Sequence, residues 1–117
     1  MYNVIIDCDP GHDDAIALLL ASRADNIRIL GVTTVAGNST LENVTRNARK
    51  VLDYAGVTDV DVYAGAHKPM MRDLYRLTGE IIHGEDGLGG PKIPEAVTSV
   101  RPEHAVEFII RTLRESK

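Results

Sequence analysis

Four carboxylates crowd the start of this sequence: Asp7, Asp9, Asp13 and Asp14 lie within eight residues. Asp7 and Asp9 share a face if a strand runs that far, because strand side chains alternate. Pro10-Gly11 then turns the chain sharply and folds Asp13 and Asp14 back toward the strand end. Two like charges about 4 Å apart repel by roughly 4 kcal/mol at an effective dielectric of about 20. Four converging carboxylates therefore need a cation, shared protons or abundant solvent. A hard cation is the simplest answer, since oxygen ligands suit Ca2+ or Mg2+ and no Cys or His pair is placed to select zinc. Each aspartate also has an ordinary use alone: Asp13, or even His12, could cap a helix, and Asp7 could accept from main-chain amides. The acidic pocket of a phosphotransfer domain is a further reading, which Pro10 directly after Asp9 and the Asp13-Asp14 pair suit poorly.

The elements that must position these residues follow from the pattern of apolar side chains. Val4-Ile5-Ile6 is β-branched and does not alternate, which predicts a strand buried on both faces of a parallel sheet. Asp13 to about Ser22, rich in Ala and Leu, reads as a helix with acidic residues at its positive end. Ile27 to Val35 is a second strand, closed by Gly37. Ser39-Thr40-Leu41-Glu42 has capping-box spacing, and the helix behind it runs to about Tyr54 with Val44, Ala48, Val51, Leu52 and Ala55 on one face. Gly56 stops that helix, and Val60 to Ala64 is a third, shorter strand. From about His67 to Pro94 the sequence predicts nothing regular, and loops this long are usually functional or disordered. With Pro102 in the first turn, Glu103 to about Arg114 then forms an amphipathic helix. The order predicts a single α/β domain over residues 1–117: an open, mainly parallel, Rossmann-like sheet flanked by helices. In such sheets ligands bind beyond the carboxyl ends of the strands, the edge that carries the aspartates, Asn38 and the long loop.

Composition narrows the function. The chain has 117 residues and a net charge of −4 with His neutral, which argues against a nucleic-acid groove or a polybasic membrane surface. Its longest apolar run is far short of the ~20 residues of a membrane helix. Cys8 is the only cysteine, so no internal disulfide forms and a reducing cytoplasm is the expected setting.

Asp7-Cys8-Asp9-Pro10-Gly11-His12-Asp13-Asp14-Ala15 closely resembles the N-terminal signature of the inosine–uridine nucleoside hydrolase family. The resemblance continues in order through Gly31 to Asn38, Asn43 to Ala48, Ile82 to Gly89 and His104 to Val106. It implies an enzyme that hydrolyses the N-glycosidic bond of ribonucleosides, a small-molecule substrate, Ca2+ as cofactor and a homo-oligomer in the full-length protein. By that resemblance Asp9 and Asp14 are Ca2+ ligands, and Asp9 is the base that takes a proton from water on the ion. Asp13 and Asn38 hold the ribose hydroxyls, His83 stands near the nucleobase, and Asp7 supports the site from behind. On their own, Asn38 reads as a turn residue, His83 and His67 as surface loop histidines and His104 as structural; Arg46 and Asn47 carry no assigned chemistry.

Family members are substantially longer, and a further carbonyl, Asp and His that complete their site come later in their sequences. The expectation is therefore the truncated N-terminal part of a longer domain, with weak metal binding and little turnover alone. A fragment that binds Ca2+ or ribose without catalysis is the alternative, and an uncovered sheet edge is expected to favour self-association.

Overall fold

A computed structural model of the chain describes residues 1–74, 82–90 and 92–116. Three parallel strands pair in the order β1 (Tyr2–Cys8), β2 (Ile27–Thr34), β3 (Val62–Ala64). Helices α1 (His12–Arg23) and α2 (Leu41–Tyr54) make the crossovers, and α3 (Ala105–Glu115) follows the long loop. The register sets Asp7 beside Thr33 and Cys8 beside Thr34, so the two chain segments that carry the acidic motif and Asn38 leave the sheet together.

The sheet buries both faces, as its unbroken apolar runs require. On one face Cys8, Val32 and Val62 pack with Leu18 of α1 and Ala48, Val51 and Leu52 of α2. On the other, Ile5 and Tyr63 meet Ala105, Phe108 and Ile109 of α3. The Tyr63 and Phe108 rings stack at 3.9 Å between centroids. Phe108 also lies directly over Gly31, where an added Cβ would stand 2.5 Å from Cζ of the ring. Among the described residues no helix is long and apolar enough to cross a membrane.

Element boundaries moved where hydrogen bonds overrode sequence pattern. The first strand extends past Val4–Ile6 to include Asp7 and Cys8, because β2 supplies ladder partners for both. The third begins at Val62 rather than Val60. Neither Asp13 nor His12 caps α1; the cap position is Gly11, which has no side chain to offer. The α2 cap is Thr40, whose hydroxyl accepts from the Asn43 amide, one place beyond the Ser39-to-Glu42 box. Arg101 explains the late start of α3: its amide donates to the Val62 carbonyl at 2.8 Å, bridging parallel to β3 and keeping the chain extended. The helix therefore starts at Ala105, and His104 caps it by accepting from the Val106 amide. Gly79 and Pro91, read as part of the irregular stretch, lie outside the described residues.

The approach to that bridge is clamped by Asp53 at the end of α2. Its carboxylate accepts from the amides of Val97 and Thr98 and from the Thr98 hydroxyl, at 2.6, 3.0 and 2.7 Å. Desolvation pushes this carboxyl upward, but the three bonds and the Arg49 charge together hold it below its ordinary value.

Two outcomes follow from this packing. Gly31→Ala should cost about 1–3 kcal/mol in urea unfolding by overpacking against Phe108, and Phe108→Leu in the same chain should recover part of that loss; strictly additive costs would contradict the contact. Asp53→Ala should cost about 1–2 kcal/mol near neutral pH. Because the folded value of Asp53 is depressed, its contribution is present above the ordinary carboxylate value of about 3.9 and fades as pH falls through the lower folded value. Stability curves of the parent and Asp53→Ala that stay parallel through this acid range would contradict the clamp.

Candidate active site

The carboxyl ends of β1 and β2 are tied by a reciprocal pair of hydrogen bonds. The Asn38 amide donates to Asp9 Oδ2 at 2.7 Å, and Asn38 Nδ2 donates to the Asp9 carbonyl at 3.0 Å. Gly37 permits this approach, since a Cβ there would overlap the Asp9 carboxylate. Asn38 lies in a bend but not in the left-handed region, so tolerance of that backbone does not account for it, and its amide groups make the two contacts. Asp14, in the first turn of α1, closes the motif from the other side, accepting from the Asp9 amide at 2.9 Å through Oδ2. Asp9 is thus held at both its amide and its carboxylate. The Asn38 side-chain oxygen has no hydrogen-bond partner among the described residues, whereas the Asp9 and Asp14 carboxyls lie within hydrogen-bond reach of each other, a contact that raises the Asp14 value.

The four aspartates do not converge on one point. Asp7 faces the α3 side and accepts from the Thr33 hydroxyl at 2.6 Å. It braces β1 against β2 and makes no hydrogen bond to Asp9 or Asp14. Asp13 is exposed on the first turn of α1. Among the described residues, no group of three or more His, Cys, Asp or Glu side chains is placed to hold a metal ion. Asp9 and Asp14 are hard oxygen donors of the right kind for Ca2+, but two carboxylates are a share of the about 6–8 ligands that ion takes.

The charges still act on one another. Burial holds the Asp14 carboxyl above its ordinary value; the Asp9 amide pulls it down, and the charges of Asp13 and Asp9 push it up. Cys8, buried beneath them, is pushed up to about 12 by desolvation and then by Asp14, Asp7 and Asp9. Its thiol stays protonated and is no nucleophile.

The loop around His83 is more ordered than its sequence suggested. His83 is buried, with its ring against Gly11 and Nδ1 accepting from the His12 amide at 3.2 Å. Residues 84–90 curl back over it, the Gly89 amide donating to the His83 carbonyl. Asp86 fixes the curl by accepting from the amides of Leu88 and Gly90. Two α2 residues seat the loop. Asn43 donates to the Glu85 carbonyl, while buried Asn47 donates to the carbonyls of Pro10 and Asp86 at 3.2 and 2.7 Å. Asn47 joins the acidic turn to the loop, a role the sequence reading missed. The available signal was a polar residue at helical spacing on the apolar face of Val44 and Val51. A cavity of about 460 Å³ opens at the far end of the sheet beside Met1, Ile27 and Val60, so size alone does not mark the site.

Residues 4–117 match the family described as inosine-uridine preferring nucleoside hydrolase. The chain belongs to that family. It is 47% identical over 113 residues to a pyrimidine-specific ribonucleoside hydrolase, RihA, of Photobacterium profundum, covering 97% of this chain and 36% of that protein. Its fold superposes on a purine-preferring ribonucleoside hydrolase from Gardnerella vaginalis with a TM-score of 0.92 at 32% identity, covering 97% of this chain and 37% of that one. A plant nucleoside hydrolase gives 0.89 at 31% identity, covering 97% and 36%. The chain thus spans about a third of the length of these relatives.

Replacing Asn47 by Leu should cost about 2–3 kcal/mol in urea unfolding, because it leaves the Pro10 and Asp86 carbonyls without a donor. Hydrogen exchange should quicken in residues 83–90 beyond the global change. Unaltered exchange there would contradict the bridge.

Proposed function

We propose that this chain carries the ribose-side part of a ribonucleoside hydrolase site, which splits the N-glycosidic bond to give ribose and a free purine or pyrimidine base. The observation that carries the proposal is the state of Asp9 and Asp14. Each engages one oxygen with a main-chain amide at the carboxyl edge of a parallel sheet, and the two carboxyls lie against one another, where a cation would relieve the repulsion between their oxygens. Those oxygens would hold Ca2+, with water and residues outside this chain as the remaining ligands. When bound, the ion supplies Lewis acidity toward water and a grip on vicinal ribose hydroxyls.

The chain's own residues do the rest. Asp9, oriented by the Asn38 amide, takes a proton from the attacking water. The carboxylates stabilise the positive charge that develops on the sugar as the C–N bond breaks. The Asn38 side-chain oxygen and Asp13 accept from ribose hydroxyls, His83 stands on the base side, and Asp7 supports the strand end. Family membership supports the nucleoside as substrate. The single buried thiol suits a cytoplasmic enzyme that recovers bases from nucleosides. Among the described residues β1 pairs on one side only, which supports assembly with further copies.

The second reading is Ca2+ or ribose binding without turnover, since Asp9 and Asp14 supply two of the about 6–8 ligands that Ca2+ takes. Calorimetry with Ca2+, beside ribose release from inosine and uridine, separates the two. Ca2+-dependent release that falls at least ~100-fold in Asp9→Ala supports the hydrolase. Ca2+ binding lost in Asp14→Ala, with no ribose released, selects the second reading. Neither binding nor release would overturn both.

A further inference from the structure

Gly11 caps α1 without a side chain, so the first helical amide, that of His12, needs an acceptor from elsewhere. It finds one 71 residues away, in Nδ1 of His83. The His12 ring adds to the contact, its own Nδ1 lying 3.3 Å from His83 Nδ1 with the rings 5.1 Å apart. Two glycines make room. A Cβ on Gly11 would stand 2.5 Å from His83 Nδ1, and one on Gly89 would stand 2.6 Å from His12 Nε2.

An atom that accepts from a main-chain N–H carries no proton itself. His83 Nδ1 is therefore bare. Any proton shared between the two Nδ1 atoms belongs to His12, which then shares the single His83 Nδ1 lone pair with the amide. The neutral His83 ring carries its own proton on Nε2. That nitrogen lies on the ring edge away from Gly11 and has no hydrogen-bond partner among the described residues.

We propose that His12 is a positioning residue: its amide and ring together fix His83 in the form that bears its proton on Nε2, so that His83 meets a ligand as a hydrogen-bond donor. The complementary ligand group is an acceptor, such as a carbonyl oxygen or an unprotonated ring nitrogen of a nucleobase. The identity of that ligand rests on the nucleoside reading above; the fixed tautomer does not.

The test reads the tautomer directly, by long-range proton–nitrogen correlation on the chain with isotope-labelled histidine at about pH 8, where histidine rings are ordinarily neutral. His83 should show one form, protonated at Nε2. His12→Ala keeps the amide and loses the ring contact, so that form should persist with a shifted Nδ1 resonance. His12→Pro removes both donors at a first-turn position where proline is tolerated, and His83 should then average between its two neutral forms. A proton on Nδ1 in the parent chain would overturn the proposal, as would an unchanged spectrum in a folded His12→Pro chain. If His12→Pro unfolds, the parent and His12→Ala spectra still decide. No nucleoside is needed for any of these outcomes. Adding inosine or uridine to the parent chain should then shift the Nε2–H signal; an unmoved signal would overturn the ligand half and leave the tautomer lock standing.

Discussion

A carboxylate that accepts from the main chain of the turn beyond the neighbouring strand is the constraint on which this site depends. Asp9 directly follows Cys8, the last residue of β1, and Asn38 stands four residues beyond Thr34, the last residue of β2. The amide of Asn38 reaches the Asp9 carboxylate while its side chain reaches the Asp9 carbonyl. A pair of this kind fixes position and direction at once, and its charged member makes it stronger than a neutral pair. Asp14 adds the third point from α1. The negative charge is thereby held on the backbone frame of three elements rather than on mobile side chains.

The rest of the fold keeps those three elements in register. The parallel ladder sets Cys8 beside Thr34, the last paired residues of their strands. Aliphatic packing of α1 and α2 covers one face and the Tyr63–Phe108 stack the other. Burial beneath the acidic end has an electrostatic consequence, since Cys8 lies within the field of three aspartates and remains a neutral thiol. Asn47 and Asn43 of α2 carry the same rigidity outward to the His83 loop. The His83 loop is thus tied to the acidic turn through one helix.

Much of this was legible in the sequence because apolar runs and glycine breaks are local signals. The second strand, expected over Ile27 to Val35 and found over Ile27–Thr34, and the helix ending at Tyr54 needed only their own residues to be recognised, and the motif blocks carried the family resemblance. What stayed hidden depended on partners distant in sequence. Nothing near Asp7 says that it bonds Thr33, so its charge looked like part of one cluster with Asp9 and Asp14. Arg101 looked like the approach to a helix until its amide was taken by Val62. Ser39 fitted a capping box that Thr40 provides. His83, in a glycine-rich stretch with no periodicity, gave no hint that it is buried and caps α1. Local pattern specifies elements; the contacts that join strand ends are set by topology.

Asp9 and Asp14 are each held by a main-chain amide through one oxygen, and their adjoining carboxyls are proposed to take a cation. Following the carboxylate carbon signals during a Ca2+ titration of the chain, with hydrogen exchange at the Asp9 and Asn38 amides, tests this central claim most directly. The account expects the Asp9 and Asp14 signals to move more than those of Asp7, Asp53 or Asp86, with both amides protected before and after Ca2+. Unprotected amides, or a response centred on any other aspartate, would contradict it.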